Sequence, residues 1–369
     1  MLSFRAMLCN SVAMCLLALS AQAASPPLPE EIQASVEKGI RYLKTTQSDD
    51  GGWGDSNSMG VTGLVTYALL ESGVPVDDPA VKAGLKYIEK SIQPDGGIYR
   101  PESLLKNYET SIAIQALAAA NKDGRYQKAI ADAVKFVKEL QWDDAEAGGR
   151  ENLAYGGAGY GKHARPDLSN TAFFLDALKA AGVSSHDPAM QNALLFISRC
   201  QNLPGANDTK FADKVNDGGF YYTPAAGGSS FAGETPNGGL RAYGSITYAG
   251  LKSMIYAGLT EEDPRVKAAQ EWIRRFYSLD ENPGMGQQGL FYYYVTFAKT
   301  MEAIGKPDFT DANGHRHDWR GELARQLIDR QKPNGSWVNG MERWMEGDPN
   351  LVTAYSLIAL SRCRETSAR

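Results

Sequence analysis

Cysteine is scarce in this chain, long apolar runs are missing, and no basic excess offsets the acidic residues. Of four cysteines, Cys9 and Cys15 fall in the N-terminal leader, which leaves Cys200 and Cys363. Each of these ends a predicted helix, and the two ends fall on opposite sides of the molecule. A helix of about 13 residues is roughly 20 Å long, beyond disulfide reach, so both are expected as buried thiols acting as small hydrophobes. The only apolar run of note is Val12 to Leu19, and no stretch approaches the roughly 20 residues that span a bilayer. The formal net charge is -5 at pH 7. That mild acidity excludes nucleic acid and anionic membrane surfaces as partners. The glycine-rich segment Gly156 to Lys162 lacks both the preceding strand and the Lys-Ser/Thr ending of a phosphate loop. It reads as a flexible loop.

The first residues carry a leader instead. Arg5 supplies a positive start, Val12 to Leu19 the apolar centre, and Ala21-Gln22-Ala23 a small-x-small cleavage site. This pattern predicts an exported protein, periplasmic or secreted, with its mature chain starting at Ala24. The expected divisions are a signal peptide over 1–23, a Pro-rich leader over 24–31, one domain over 32–363 and a tail over 364–369.

The domain is organised around Gln47-Ser-Asp-Asp-Gly-Gly-Trp-Gly54. Its core returns as Gln93-Pro-Asp-Gly-Gly-Ile-Tyr99, as Asn216-Asp-Gly-Gly-Phe-Tyr221 and as Gln331-Lys-Pro-Asn-Gly-Ser-Trp337, with a degenerate trace at Gln141-Trp142-Asp143. Asp-Gly and Asn-Gly pairs mark turns, so each copy punctuates two helices, and their recurrence marks a repeat protein. Between the copies, helices apolar on one face alternate with helices apolar almost all round, such as Val61 to Ser72. The first kind suits an outer layer and the second a buried one. Three outer helices open with Asp78-Pro79, Asp187-Pro188 and Asp263-Pro264, an N-cap followed by proline at the first helical position. The preceding inner helices close with Gly73, Gly182 and Gly258.

Six outer helices begin at Ile32 and six inner ones end at Cys363. The first outer helix lacks an inner partner before it, and the last inner helix lacks an outer partner after it. The expected architecture is therefore all-α: a closed (α/α)6 toroid, a double barrel of inner and outer helices. Long connections, Trp142 to Leu168 and Gln201 to Tyr243, fall where the inner helices begin, which makes that end the cavity mouth.

The repeated Gln-x-x-Asp-Gly-Gly-Trp-Gly pattern resembles that of squalene and hopene cyclases and of protein prenyltransferase β subunits, over roughly the whole mature chain. The resemblance implies an α/α toroid whose central cavity holds an isoprenoid. It does not extend to the family's chemistry. Where the cyclases carry Asp-x-Asp-Asp-Thr-Ala, this chain reads Asp167-Leu168-Ser169-Asn170-Thr171-Ala172, with serine at the acid. The Asp-x-Cys zinc pair of the prenyltransferases is missing, and no cofactor and no metal site is expected.

Near the inner-helix starts stand Glu109, Asp167 and His163. Two carboxylates and an imidazole are an acid–base set, against the plainer reading that Asp167 caps its helix and Glu109 answers a helix dipole. Tyr108, Tyr248, Tyr292 and Tyr293 are candidates for an aromatic cavity wall with His163 and Asn170, suited to an apolar or cationic guest. His315 and His317 with Asp311 and Asp318 form a weaker metal pattern, on the side away from the mouth. The favoured function is binding of an apolar small molecule, an isoprenoid or lipid, in the central cavity. The alternatives are a glycan lyase or glycosidase acting through Glu109 and Asp167, and a non-catalytic interaction scaffold. Oligomeric state is left open.

Overall fold

The computed structural model describes residues 26–54 and 59–364. The expected signal peptide lies outside the described residues. In chain order the helices are α1 (Pro29–Thr45), α2 (Gly60–Glu71), α3 (Pro79–Lys90), α4 (Lys106–Ala120), α5 (Gln127–Glu139), the single turn α6 (Asp144–Ala147), α7 (Leu168–Ala180), α8 (Pro188–Arg199), α9 (Gly244–Tyr256), α10 (Pro264–Phe276), α11 (Leu290–Ile304), α12 (Trp319–Arg330) and α13 (Pro349–Cys363). A two-residue ribbon, β1 (Phe309–Thr310) against β2 (Arg316–His317), is antiparallel. Helix α1 starts at Pro29, inside the stretch expected as a leader, because Glu31 reaches back to the Leu28 amide at 2.7 Å.

The alternation of faces sets the layers. α2, α4, α7, α9, α11 and α13 are buried along nearly their whole length, whereas α1, α3, α5, α8, α10 and α12 bury one stripe. Each inner helix packs on the next, and α13 returns to pack on α2; α1 packs on both α12 and α13. The aspartates expected as caps do cap: Asp78, Asp187 and Asp263 accept from the amides of Ala80, Ala189 and Arg265 at 2.9 to 3.0 Å.

The repeat motif works as a three-way tie. The Gln47 side-chain amide donates to the Gly51 carbonyl at 2.9 Å and to the Ala80 carbonyl of α3 at 3.0 Å. Gln331 does the same to Gly335 at 3.0 Å and to Ser35 of α1 at 2.9 Å, so the tie after the last outer helix lands on the first. Gln141 and Gln201 make the same pair of bonds, to Gly156 and Ala189 and to Gly218 and Arg265. Two residues after each of these glycines a backbone amide donates to a threonine on the next inner helix: Trp53 to Thr62, Ala158 to Thr171, Phe220 to Thr247 and Trp337 to Thr353.

The long mouth connections thus come from insertions in two copies of the motif, between glutamine and glycine (Gln141 to Gly156, Gln201 to Gly218) and again between the glycine turn and the threonine, which are 13 positions apart from Ala158 to Thr171 and 27 from Phe220 to Thr247, against 9 from Trp53 to Thr62. This corrects the reading of Gly156 to Lys162 as a flexible loop. Gly156 has φ 84, and a Cβ there would stand 1.9 Å from the Asn192 carbonyl of α8. Only glycine lets the turn lie that close to the outer helix. Cys200 and Cys363 are free and buried. Among the described residues no helix is long and apolar enough to cross a membrane.

Candidate functional site

At the end where the inner helices begin, they surround a cavity of about 320 Å³, within the range of small-molecule sites. Its wall is built from one or two side chains per inner helix: Val61 of α2, Tyr108 of α4, Ser169 and Phe173 of α7, Ser245 and Ile246 of α9, Tyr292 of α11, and Leu351 and Tyr355 of α13. The inserted connections add Tyr160, Tyr222, Phe231 and Tyr243, and the α12–α13 connection adds Trp344 and Met345. Aromatic rings dominate, and their hydroxyls are spaced round the wall. The Ser169 and Tyr292 hydroxyls lie 3.0 Å apart.

The rim is held by a carboxylate. Helix α11 begins at Gly289 without a side-chain cap of its own. Glu346, buried in the rim, takes that role: Oε1 accepts from the Tyr292 amide at 2.7 Å and Oε2 from Asn339 Nδ2 at 2.6 Å. Burial raises its pKa against these bonds. Anchored this way, Trp344 and Met345 adopt left-handed conformations, φ 58 and 65, strained for non-glycine residues. The Trp344 ring meets Phe231 edge-on at 5.2 Å, and the Arg343 guanidinium lies over both rings at 4.4 and 5.0 Å.

Deeper in, four inner helices supply a belt of rings. Tyr108 meets Phe173 at 4.8 Å, Phe173 meets Tyr292 at 6.1 Å, and Tyr292 meets Tyr355 at 6.2 Å. Below the belt is a compartment of about 20 Å³ lined by Gln115, Asp176, Lys252 and Lys299 among apolar neighbours. Asp176 is shared by two lysines: Lys252 Nζ on one oxygen and Lys299 Nζ on the other, at 3.0 Å. Burial works against both ammonium groups. It brings Lys252 down to about 8, whereas Asp176 and the nearby Tyr67 hold Lys299 above its ordinary value.

Of the residues expected at the site, the structure brings Tyr108 and Tyr292 onto the wall and leaves the others off it. Tyr248 and Tyr293 are fully buried but pack on each other at 5.4 Å and on Phe297, and the Tyr293 hydroxyl donates to the Ser278 carbonyl. One residue along a helix turns the side chain by roughly 100°, so Tyr292 faces the axis and Tyr293 the outer layer. His163 is exposed, with φ 59, and does not line the cavity. Asn170 is buried with its amide on Asp167 at 2.8 Å.

The two expected acids are also turned into the walls. Glu109 accepts from the Arg100 amide at 3.0 Å, and Asp167 caps α7 through the Asn170 amide at 2.9 Å. His315 and His317 pair with Asp311 and Glu322, and among the described residues no group of three or more potential ligands is arranged to hold a metal. Asp176, Lys252 and Lys299 were passed over in the sequence. Their signal was a charge inside each of three largely apolar helices, the only one in α9 and accompanied nearer the C-terminal end by Lys179 in α7 and Glu302 in α11, since buried charges are kept only when paired.

Asp167 gives the site a pH signature. Burial pushes its carboxyl from 3.8 up to about 6, against the bonds from Asn170 and Tyr222 and the charge of Arg165. Between those two values the folded chain keeps a proton that the unfolded chain has lost, so stability falls as pH rises through that window and levels off above it. In urea titrations across this range, the Asp167→Asn variant is expected to lack that component of the slope. An unchanged slope would contradict the raised value.

Residues 55–223 match the squalene-hopene cyclase C-terminal domain family. No curated protein matches the chain. Among solved structures, the type II terpene cyclase MstE from Scytonema is similar at TM-score 0.52 and 14% identity, covering 91% of this chain and 98% of that one. A variant of MstE in complex with its substrate, geranylgeranyl dihydroxybenzoate, gives 0.50 and 12%, covering 91% and 98%. The cellobiose 2-epimerase from Spirochaeta thermophila gives 0.53 and 12%, covering 91% and 97%, and a glycosidase gives 0.51 and 9%, covering 90% and 96%. At these identities the structural likeness concerns the fold. The chain is thus squalene-hopene cyclase-like in sequence over residues 55–223 and terpenoid cyclase-like in fold.

Proposed function

We propose that this chain is an exported, closed (α/α)6 toroid that binds an apolar ligand, an isoprenoid or lipid, in its axial cavity. The observation that carries the reading is the cavity of about 320 Å³ walled by aromatic rings from the inner helices and the inserted loops. The return of α13 onto α2 supports closure. The likeness to MstE, a variant of which is in complex with a geranylgeranyl-bearing substrate, supports the ligand class. Among the described residues of this wall there is no acid for protonation-driven cyclisation: Ser169 stands in the cyclase acid's frame and bonds a tyrosine hydroxyl.

Sugar chemistry has less support. Glycoside hydrolysis uses two carboxylates roughly 5 to 9 Å apart facing one cavity. Among the described residues near this mouth, the carboxylates Glu109, Asp167, Glu346 and Asp348 are bonded to backbone amides instead.

The test is displacement of the apolar fluorophore N-phenylnaphthylamine by farnesol. One probe per chain is expected, displaced by farnesol, and lost in Ile246→Trp, which fills the cavity while circular dichroism reports intact helices. Probe binding that survives the filled cavity would sink the proposal.

A further inference from the structure

A container for purely apolar molecules has no need of the charges beneath the belt. Asp176 on α7, Lys252 on α9 and Lys299 on α11 meet at the floor of the axial space, their side chains 6%, 2% and 11% exposed. Two cations share one carboxylate. The next charges away from the mouth, Arg362 with Glu71 and Glu302, sum to one negative charge, with Glu71 21% and Glu302 42% exposed. The three floor groups thus carry one net positive charge among themselves, answered only by the more exposed acids around Arg362, and a buried charge is costly in a low dielectric. An ammonium carries three donors. Among the described residues, Asp176 takes one from Lys252, and Asp176 with Gln115 takes two from Lys299. Donors are left over on the two lysines, where the local charge is positive.

The shape narrows what could use them. The floor compartment, at about 20 Å³, has room for one water-sized group. That suits the oxygens at the tip of a chain and excludes a ring or a diphosphate. Phe173, Tyr292 and Tyr355 line both this compartment and the larger cavity, so whatever reaches the floor passes between their rings. From Ser169 at the mouth to Asp176 at the floor is about 10 Å along α7, the reach of a medium-length hydrocarbon chain.

We propose that the ligand is an amphiphile ending in a single carboxylate and seated head-down, with the carboxylate between Lys252 and Lys299 and the tail running up through the aromatic belt into the cavity. This rests on the apolar-ligand reading above and names its head group. Lys252 faces Asp176, Lys299 and the ring of Tyr256. Its charge is lost as pH rises through about 8, and head-group affinity falls with it.

The experiment is calorimetric titration of the full chain with dodecanoic acid and with dodecanol, below their aggregation concentrations, on wild type and on Lys252→Met, Lys299→Met and Arg343→Gln. Each lysine variant leaves Asp176 paired with the other lysine, and dodecanol binding reports whether the cavity is intact. If Lys252→Met does not fold, Lys299→Met carries the test. The acid is expected to bind about tenfold or more tighter than the alcohol. That preference is expected to vanish in either lysine variant while alcohol binding is kept. Equal binding of acid and alcohol by wild type would overturn the head-down carboxylate and leave the cavity reading standing. Loss of the preference in Arg343→Gln alone would place the head at the rim and overturn it too. Binding of neither ligand would overturn the cavity reading itself.

Discussion

Replacing Asp176 with asparagine is expected to destabilise the fold by about 3–5 kcal/mol, the usual cost of removing one partner from a buried ion pair. The carboxylate is the only acid given to both Lys252 and Lys299 among the described residues. An asparagine keeps the shape and one acceptor but leaves two buried ammonium groups without a counter-charge. The cost has a ceiling, because Lys252 can release its proton. Its ordinary value is 10.5, and deprotonation from there at pH 7 costs about 5 kcal/mol.

A sign follows for pH. Where the folded variant has released a proton that its unfolded chain still holds, stability rises with pH. The folded wild type releases the same proton near 8, so the gap between variant and wild type narrows up to about pH 8 and is level above it. Urea midpoints at neutral and alkaline pH measure both effects. A loss below about 1 kcal/mol, the level of a surface ion pair, would mean that the charges are solvated and that the floor is not sealed.

The second large effect is expected at Trp337. Trp337→Ala should cost about 3–5 kcal/mol, the range for deleting a buried aromatic side chain. Trp337 is fully buried. Its indole N–H donates to the Leu327 carbonyl of α12 at 2.7 Å, and its backbone amide to Thr353 of α13 at 3.1 Å. A Cβ on Gly39 of α1 would lie 2.9 Å from the ring. The indole therefore touches the last outer helix and the first outer helix, and the backbone amide of the same residue ties the last inner helix, where the first and last repeats meet. Trp337→Phe keeps much of the packing and loses the indole hydrogen bond, so about 1–2 kcal/mol is expected. Thermal and urea unfolding of the two variants separate packing from hydrogen bonding. Equal, small losses would show that the first and last repeats are not joined through this residue.

The features legible in the sequence were those with a local cause. The Asp-Pro openings and closing glycines bound the helices because caps and left-handed turns involve only neighbouring residues. The alternation of one-sided and all-round apolar helices gave the two layers because burial acts on each helix as a whole. An all-round apolar helix, however, carries no mark of its phase. Tyr292 and Tyr293 read alike in the sequence, and only packing against α9 and α13 puts one on the axis and the other in the wall. Gln201 and Gly218 were not recognised as one motif because the insertion between them hides the spacing that Gln47 and Gly51 display.

The floor needed contacts between distant residues. Asp176 meets Lys252 and Lys299 across 76 and 123 positions of chain. What the sequence held was a set of charges, each out of place on a largely apolar helix. Glu109 and Asp167 show the converse. They stand where an acid would act, and their partners are the backbone amides of the wall.

The most direct measurement is electron density from crystals grown with farnesol. A chain of density along the axis, bounded by Tyr108, Phe173, Tyr292 and Tyr355, is the expected result. A cavity filled with ordered water, with farnesol absent or bound only on the exterior, would contradict it.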